Sequence, residues 1–345
     1  MKVLIATDAW KPQVNGVVAT LGHLAEEAGA LGAQIEFVTP AEFRTVPLPN
    51  YPEVRLSLLP PGAMQRRLDA IRPDAIHIAT EGPIGSAMRR LAVRRELPFT
   101  TSFHTRFPEY ISERLPVPRE WSESLVWRWL RDFHGCSAAV MAATPTLAAE
   151  LTARRFPNVK LWPRGVDATL FRPRQTDLGC KRPVFLTVGR LAVEKNLPAF
   201  LSLDLPGTKV VVGDGPARAS LERQFPDAVY LGAQRGERLA EIYAAADVFV
   251  FPSRTDTYGL VLLEALASGV PVAAFPAMAP RDVIGTAPVG ALDEDLRRAC
   301  FDALQISRDD CRAFAERLSW RASADAFLGH VVLPRRSVVP GTKAA

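Results

Sequence analysis

Two series of short apolar segments, each alternating with helix-patterned segments, constrain the fold of this chain most strongly. The first series comprises residues 2–7, 35–39, 54–58, 75–79, 99–103 and 138–142, which are rich in β-branched or small apolar residues. The intervening segments, such as 17–31 and 84–95, have the periodicity of helices. This alternation predicts buried parallel strands joined by crossover helices that cover both faces of a sheet.

The alternation stops at residues 171–183, which are polar, contain proline and glycine, and have no periodicity. It restarts with apolar segments at 184–188, 209–212, 229–231, 248–251 and 270–274. A chain of 345 residues is long enough for two cores. We therefore predict an α/β protein of two Rossmann-like, doubly wound parallel-sheet domains facing a central cleft. The domains are residues 1–170 and 184–318, the linker is 171–183, and a closing helix in 319–333 is expected to pack back on the first domain.

The loop after the apolar segment 248–251 carries the most chemical information. Open parallel sheets bind ligands beyond the carboxyl ends of their strands. Here Asp256 lies in the loop, and Glu264 lies about two turns into the helix pattern that follows. A helix start offers unpaired N–H groups and the positive end of the helix dipole, which suit an anion such as a diphosphate. Two carboxylates flanking it indicate a ligand that also carries hydroxyl groups.

Other candidate residues also follow predicted strands. Arg190 and Lys195 follow segment 184–188, where a diphosphate would satisfy both cations; a surface loop with a Lys–Glu pair is the alternative. Gly16 opens the first helix and would allow close approach of a ligand, or it is a turn glycine. His104 ends the fifth strand and is expected to face the cleft, although a structural histidine explains it too.

Two glycine- or acid-rich motifs give weaker signals. Residues 213–216 (GDGP) suit a tight turn, and the chain contains no GxGxxG motif, so a standard NAD site is not supported. Residues 293–295 (DED) superficially resemble a metal-binding DxD motif, but acids before a helix usually serve as caps. We therefore expect neither a metal nor another cofactor.

Composition narrows the class of protein. Apolar residues make up 48% and charged residues 23%, which is ordinary for a soluble globular protein. The four cysteines lie far apart without CxxC spacing, which argues against disulfides and zinc and favours the cytoplasm. We expect neither a signal peptide nor a membrane-spanning segment. The net charge of +5 favours anionic partners such as nucleotides or a membrane surface, or reflects a solvated arginine-rich surface; we expect no nucleic-acid partner.

Two basic amphipathic segments could lie at a membrane interface or pack on the core. In residues 119–133, an aromatic and aliphatic stripe recurs every four residues, at Trp121, Leu125, Trp129 and Phe133. In the second, Met64, Leu68 and Ile71 lie beside Arg66, Arg67 and Arg72. A basic amphipathic helix can bind in the plane of a membrane interface. A core-facing helix with a solvated basic face is the favoured interpretation of each.

Together these segments resemble the retaining glycosyltransferases of family 4, which have the two-domain GT-B fold. The matching segments are residues 10–17 (WKPQVNGV), 102–110 (SFHTRFPEY), 164–167 (RGVD), 189–191 (GRL), 194–196 (EKN), 213–216 (GDGP) and 253–272. Most are weak individually, but their order and spacing together make the resemblance specific.

The resemblance implies roles for the charged candidates. Asp256 and Glu264 fall on the family's E-x7-E motif, which implies that Asp256 contacts hydroxyls of the donor sugar and Glu264 holds the ribose. Arg190 and Lys195 would neutralise the diphosphate leaving group without a metal. No enzyme nucleophile is evident, and members of the family are thought to use front-face attack by the acceptor.

The resemblance also assigns the remaining candidates. Gly16 would approach the phosphates from the opposite domain, and His104 would lie near the donor sugar. The base would sit near Gln234. Backbone groups of three consecutive residues would hold the donor's phosphate or hydroxyls: Tyr258, Gly259 and Leu260.

Within the family, residues 103–110 and 253–257 look most like bacterial diacylglycerol glycosyltransferases, GDP-mannose-dependent α-mannosyltransferases and plant sulfoquinovosyl-diacylglycerol synthases. This implies transfer of glucose or glucuronic acid from a UDP-sugar to a lipid such as diacylglycerol, at the inner face of the cell membrane. The alternatives are GDP-mannose-dependent transfer, a nucleotide-sugar hydrolase or epimerase, and a non-catalytic binder. Asp256 replaces the usual glutamate, and residues 279–282 (APRD) replace a glycine-rich donor loop, so the choice of donor stays open.

Overall fold

The structure is a computed structural model that describes residues 1–13, 15–48, 51–104 and 119–331. Residues 105–110 of the matching segment 102–110 and residues 332–333 of the expected closing segment lie outside this range.

The first domain is built on a six-stranded parallel sheet. Its described strands are β1 (Lys2–Ala6), β2 (Gln34–Val38), β3 (Arg44–Leu48), β4 (Tyr51–Leu58), β5 (Ala75–Ile78), β6 (Thr100–Phe103), β7 (Ala139–Ala142) and β8 (Val159–Leu161). The parallel sheet has the order β2-β1-β5-β6-β7-β8. The helices are α1 (Gly16–Ala30), α2 (Ala63–Ile71), α3 (Pro83–Arg94), α4 (Arg119–His134) and α5 (Pro145–Ala153).

The prediction that residues 54–58 form a buried strand of this sheet is wrong. They belong to β4, which pairs antiparallel with β3 in a separate two-stranded sheet, with Thr45 opposite Ser57. A short apolar segment does not by itself show which sheet it joins. In this hairpin Leu58 is 53% exposed and Ser57 is buried, so the apolar residues of the segment do not mark its buried face.

The second domain repeats the architecture. Its strands are β9 (Val184–Val188), β10 (Thr208–Val212), β11 (Val229–Tyr230), β12 (Val248–Phe251), β13 (Val272–Ala274) and β14 (Gly290–Leu292). They form a parallel sheet in the order β11-β10-β9-β12-β13-β14. The helices are α6 (Leu197–Leu201), α7 (Arg218–Gln224), α8 (Gly236–Ala245), α9 (Leu260–Ala267), α10 (Met278–Ile284), α11 (Leu296–Ala303), α12 (Arg308–Ala315) and α13 (Trp320–His330).

Burial on both faces explains the continuous apolar sequence of β1. Leu4 packs in one core with Leu68 of α2, whereas Ile5 packs in the opposite core with Leu21 of α1. Because successive strand side chains point to opposite faces, a sheet covered on both sides needs apolar residues throughout. The doubly wound arrangement predicted from the alternation is therefore confirmed in both halves.

The chain crosses between the domains twice, at adjacent positions. Val166 N–H donates to the Leu318 carbonyl at 2.9 Å, so the outgoing and returning segments lie side by side. Gly165 lies so close to the returning segment that an added Cβ would come within 2.3 Å of the Ser319 backbone. Any larger residue at 165 would therefore push the two crossings apart.

The segment after the first crossing packs with the second domain. Phe171 lies in the core of that domain with Tyr243 and Phe249, and its ring meets that of Tyr243 edge-on. Arg312 of α12 holds this segment by donating to the carbonyls of Ala168 and Phe171. The interdomain chain is therefore anchored before the polar residues 172–183 begin.

Helix α13 returns to the first domain and fills the face of its sheet next to α1. Phe327 is fully buried there with Ile5 and Trp162. The Trp162 indole N–H donates to the Ser323 carbonyl at 3.1 Å. The closing helix therefore completes the core of a domain that is distant in sequence.

We predict that Phe327→Ala lowers the free energy of unfolding by about 3–5 kcal/mol, because it removes a buried aromatic ring and leaves a cavity. Arg321→Ala on the exposed face of the same helix should change it by about 0.5 kcal/mol or less. Urea denaturation followed by tryptophan fluorescence measures both. Equal losses in the two variants would contradict the packing described for α13.

Candidate active site

Lys195 and Asp256 form an ion pair at the carboxyl edge of the second sheet. Lys195 ends a short 3-10 turn after β9, and Asp256 lies in the loop between β12 and α9. The Lys195 Nζ atom is 2.5 Å from Asp256 Oδ1. Asp256 Oδ2 is buried and has no hydrogen-bond partner among the described residues. An ammonium group carries three donors. Within the described residues, two N–H donors of Lys195 and one carboxylate oxygen of Asp256 therefore stay available for a ligand.

The starts of two helices from different domains lie close together, and one of them, α9, begins four residues after Asp256. An added Cβ on Gly16, the first residue of α1, would lie 3.8 Å from Leu260 Cδ1, at the first residue of α9. Asn15 caps α1 by accepting from the N–H groups of Val17 and Val18. No side-chain cap is found on α9, whose preceding residue Gly259 has φ 78°. The start of α9 is therefore open to an anion.

His104 lies at the end of β6 and contacts the second domain through its backbone. The Thr257 hydroxyl donates to the His104 carbonyl at 2.9 Å. Within the described part of the chain, the His104 Nε2 atom is buried and has no hydrogen-bond partner. Burial, reinforced by the positive charge of Arg164, holds the pKa of His104 well below its usual value. The imidazole is therefore neutral near pH 7.

Arg164 is a buried cation at the first domain crossing. Its side chain donates to the Trp162 carbonyl at 2.6 Å, and its guanidinium carbon lies 4.2 Å from the centre of the Trp162 ring. Burial lowers the pKa of Arg164 to about 10. The Arg164 backbone hydrogen-bonds the Tyr258 hydroxyl, and burial raises the pKa of that hydroxyl to about 12. Arg164 and Tyr258 thus join the two domains.

Glu264 lies on α9, about one helical turn after its first residue, Leu260. The Tyr243 hydroxyl donates to Glu264 Oε2 at 2.9 Å. Burial raises the pKa of Glu264 to about 7, although the hydrogen bond from Tyr243 acts in the opposite direction. Burial also raises the pKa of Tyr243 well above its usual value, so the phenol remains a donor.

The GDGP turn supports the loop that carries Arg190. An added Cβ on Gly213 would come within 1.8 Å of the Gly189 carbonyl oxygen. Leu191 N–H donates to the Asp214 carbonyl at 2.9 Å. The turn therefore packs directly against residues 189–191 and sets the position from which the half-buried Arg190 extends.

Two candidates make contacts that their sequence did not suggest. The Gln234 amide donates to the Leu231 carbonyl at 2.6 Å, so it engages its own turn after β11. Asp282 of α10, considered for donor selectivity because of residues 279–282, crosses to the first domain. It accepts from both the backbone N–H and the hydroxyl of Thr146, at 3.1 and 2.5 Å.

The structure thus brings together Lys195 with Asp256 and Gly16 with Leu260, and it places His104 beside Thr257. Arg164, Tyr243 and Thr146 received no individual roles from the sequence. The arginine was the best signalled of the three, since it stands in the matching segment 164–167 among apolar residues. Nothing in the sequence links Tyr243 to Glu264 or Thr146 to Asp282.

The acidic residues 293–295 serve a local structural role. The Asp295 side chain caps α11 by accepting from the N–H groups of Arg297 and Arg298, as expected for acids before a helix. Glu294 pairs with Arg254 at 2.6 Å. Among the residues that the structure describes, no group of three or more histidine, cysteine, aspartate or glutamate side chains could hold a metal ion.

The two basic amphipathic helices differ from each other. In α2, Met64, Leu68 and Ile71 are buried, which confirms the core-facing interpretation. In α4 that interpretation is wrong for part of the stripe, since Leu125 is 67% and Trp129 is 43% exposed. The reason is that α4 turns a different face inward, with Trp127, Leu130 and Phe133 buried. The side chain of Trp121 lies outside the described residues.

None of the described helices combines the length and the apolar character needed to cross a bilayer. The four cysteines are all free, and Cys300 and Cys311 are buried.

Known proteins show the same organisation. Residues 14–170 match the profile of Glycosyltransferase Family 4, and residues 182–320 match that of Glycosyl transferases group 1. A GDP-mannose-dependent alpha-mannosyltransferase of Mycobacterium tuberculosis is 31% identical over 96% of each chain. This chain belongs to glycosyltransferase family 4. An alpha-monoglucosyldiacylglycerol synthase of Streptococcus pneumoniae is 25% identical over 90% of this chain and 82% of its own.

The structural comparison agrees with this assignment. A sucrose-phosphate synthase from Thermosynechococcus elongatus superposes with a TM-score of 0.75 at 18% identity, covering 95% of this chain and 97% of its own. The GT-B fold expected of a family-4 glycosyltransferase is therefore confirmed.

We predict that Lys195→Ala lowers sugar transfer by about 10²–10³-fold, because Lys195 is expected to offset the charge that develops on the leaving group. Lys181→Ala, which removes an exposed lysine from the interdomain chain, serves as the control and should leave transfer unchanged. Initial rates, with circular dichroism to verify folding, test both. Full activity of folded Lys195→Ala would show that the diphosphate binds elsewhere.

We predict that nucleotide-sugar binding releases a proton near pH 7. The free Glu264 carboxyl is neutral below its pKa of about 7, and a ribose that needs the carboxylate as acceptor lowers that pKa on binding. Affinity should therefore weaken as the pH falls below about 7. Calorimetry in two buffers of different ionisation enthalpy measures the proton count, and Glu264→Gln should abolish it. The same proton release from that variant would exclude Glu264 as its source.

Proposed function

We propose that this protein transfers a hexosyl group from a nucleoside diphosphate sugar to a hydroxyl of a membrane lipid. The observation that carries the proposal is the close approach of the α1 and α9 helix starts, together with the Lys195–Asp256 pair, whose Asp256 lies in the loop that leads into α9. This arrangement presents cationic and N–H donors together with an unsatisfied carboxylate oxygen. A diphosphate and a sugar, covalently joined, supply the complementary anion and hydroxyl groups.

The chemistry follows from where charge develops. As the bond from the anomeric carbon to the diphosphate breaks, negative charge accumulates on the leaving oxygen. Lys195, Arg190 and the open start of α9 would stabilise that charge, each contributing about 3 kcal/mol to lowering the barrier. Asp256 Oδ2 would accept from a sugar hydroxyl and orient the ring. We propose that the acceptor attacks from the same side, so that configuration is retained without a metal.

The relatives favour mannose as the transferred sugar. The mycobacterial mannosyltransferase, which aligns over almost the whole chain, is named for its dependence on GDP-mannose. We therefore place GDP-mannose first among the donors. UDP-glucose and UDP-glucuronic acid, expected from the local resemblance of residues 103–110 and 253–257, remain predictions. We propose that Asp256 distinguishes them, since its Oδ2 atom is buried without a partner among the described residues and would accept from a sugar hydroxyl.

Two exposed surfaces of the first domain support a lipid acceptor. On α4, Leu125 and Trp129 are exposed beside the exposed Arg128. Between α2 and α3, a groove of about 500 Å³ is lined by apolar residues including the exposed Pro60 and Val93, and by the arginines Arg89, Arg90 and Arg94. Apolar side chains next to arginines suit a surface that meets acyl chains and anionic headgroups together. A lipid-acting relative, the diacylglycerol glucosylating enzyme of Streptococcus pneumoniae, agrees.

We accordingly propose that the protein works at the cytoplasmic surface of the cell membrane, bound peripherally through the first domain. Diacylglycerol and phospholipid hydroxyls are the acceptor classes to test first.

The proposal is tested by incubating the purified protein with GDP-mannose, UDP-glucose and UDP-glucuronic acid and with vesicles that contain diacylglycerol and anionic phospholipid. Mass spectrometry of the lipid fraction should detect a hexosylated product with one donor. Absence of a glycosylated lipid with every donor, although the protein is folded, would overturn the proposal. Release of free sugar without any acceptor would instead support a nucleotide-sugar hydrolase.

The same assay tests whether the exposed surface of α4 binds the membrane. The double variant Leu125→Glu with Trp129→Glu should bind anionic vesicles more weakly and glycosylate them more slowly, while its affinity for the nucleotide sugar is unchanged. Leu161→Glu, at a similarly exposed apolar residue on β8, is the matched control. Equal behaviour of the two variants would exclude the α4 surface from membrane binding.

A further inference from the structure

The two ring nitrogens of His104 have different surroundings. Nδ1 lies 3.4 Å from an Nη2 atom of Arg164. Nε2 is buried and has no hydrogen-bond partner in the part of the chain that the structure describes. A neutral imidazole carries its proton on only one of the two nitrogens, and the hydrogen bond made by the other one selects it.

We infer that Arg164 is a positioning residue that fixes the tautomer of His104, so that Nε2 carries the proton and serves as a hydrogen-bond donor to the ligand. A guanidinium group has donors only and does not accept hydrogen bonds. A proton on Nδ1 would therefore set two donors against each other at 3.4 Å. The 3.4 Å between Arg164 Nη2 and His104 Nδ1 is long for a hydrogen bond. Because the guanidinium group has donors only, it nevertheless favours the tautomer without a proton on Nδ1.

Arg164 is suited to this role because it is held rigidly. The side chain is only 4% exposed, it donates to the carbonyls of Trp162 and Pro163, and it stacks on the Trp162 ring. It has no carboxylate partner among the described residues. Its uncompensated positive charge consequently acts on the adjacent imidazole at low local polarity.

Among the residues that the structure describes, the other groups that act on His104 do not supply a negative charge that would favour an imidazolium. His77 of β5 and His134 of α4 act on it as further basic groups, and Tyr258 of the second domain is neutral at physiological pH. His77 is itself occupied by Thr100 and Ser102, at 2.9 Å each, and His134 lies 3.3 Å from Glu81. Burial and the Arg164 charge lower the pKa of His104, so the imidazole stays neutral across the physiological pH range. The tautomer that Arg164 selects therefore persists over that range.

The consequence for the enzyme rests on the proposed function. A buried Nε2–H donor that has no partner among the described residues would donate to an acceptor atom of the ligand, such as a hydroxyl oxygen of the donor sugar. Arg164 would thus act on the sugar through His104, without contacting it. Arg164 lies at the domain crossing, and its backbone also hydrogen-bonds the hydroxyl of Tyr258 in the second domain. The tautomer of His104 would therefore depend on the relative position of the two domains.

The direct test is nitrogen-15 NMR of the free protein labelled at histidine. The chain contains five histidines, and loss of a signal in His104→Gln assigns the residue. We expect the Nε2–H tautomer in the wild type and in Arg164→Lys, whose ammonium group also has donors only. In Arg164→Gln we expect mixed tautomers and a higher His104 pKa, because the fixed cation is gone. Arg308, a half-buried arginine that also donates to backbone carbonyls, provides the control Arg308→Gln, which should leave His104 unchanged.

An Nδ1–H tautomer in the wild type would overturn the inference, and so would an unchanged His104 titration in folded Arg164→Gln. The wild-type spectrum and Arg164→Lys keep the test decisive if Arg164→Gln does not fold. In turnover, kcat/KM for the donor should fall about 10–100-fold in Arg164→Gln, the range seen when a partner that orients a metal-bound histidine is lost, and Arg164→Lys should recover most of it. Absence of sugar transfer by the wild type would sink the proposed function and leave the tautomer result standing.

Discussion

The double crossing of the chain between its two sheets is the constraint on which the rest of the molecule depends. Val166 and Leu318 join the crossings by a backbone hydrogen bond, and Gly165 allows them to lie in contact. Helix α13 then completes the core of the first domain. The second domain is therefore tied to the first domain at both of its ends. The carboxyl edges of two parallel sheets consequently meet, which brings Gly16 to Leu260 and His104 to Thr257.

The cleft formed in this way contains polar atoms that a ligand could satisfy. Its polar groups are not all paired with each other: Asp256 Oδ2 and His104 Nε2 are buried without partners in the described chain. Buried polar atoms are normally satisfied, so such exceptions cost stability and call for an explanation. A bound sugar, which carries hydroxyls that both donate and accept, would satisfy a carboxylate oxygen and an imidazole N–H at once. The membrane surface proposed for α4 and α2–α3 lies on the first domain, so acceptor and donor would enter from different parts of the protein.

Much of the fold followed from periodicity because the strands are buried on both faces. Strand β1 and its counterpart β9 are short, continuous apolar segments, and this signal survives any tertiary arrangement. The signal failed in two segments whose apolar residues are partly exposed. Strand β4 forms a separate hairpin, and the stripe of α4 exposes Leu125 and Trp129 although four-residue spacing suggested a core. Spacing shows that a face is apolar, but not whether protein or solvent covers it.

The sequence by itself determined the two doubly wound halves, the family, and the positions that carry the candidate site, because each of these is written in local pattern and motif order. Only the tertiary structure decided which of those residues act on one another. Lys195 pairs with Asp256 across 61 positions, and Arg164 sits against His104 across 60 positions. Such contacts form because two parallel sheets converge at one cleft, and no local pattern records the distance between loops that follow different strands. The protonation of His104 and the raised pKa of Glu264 are set by that convergence and by burial.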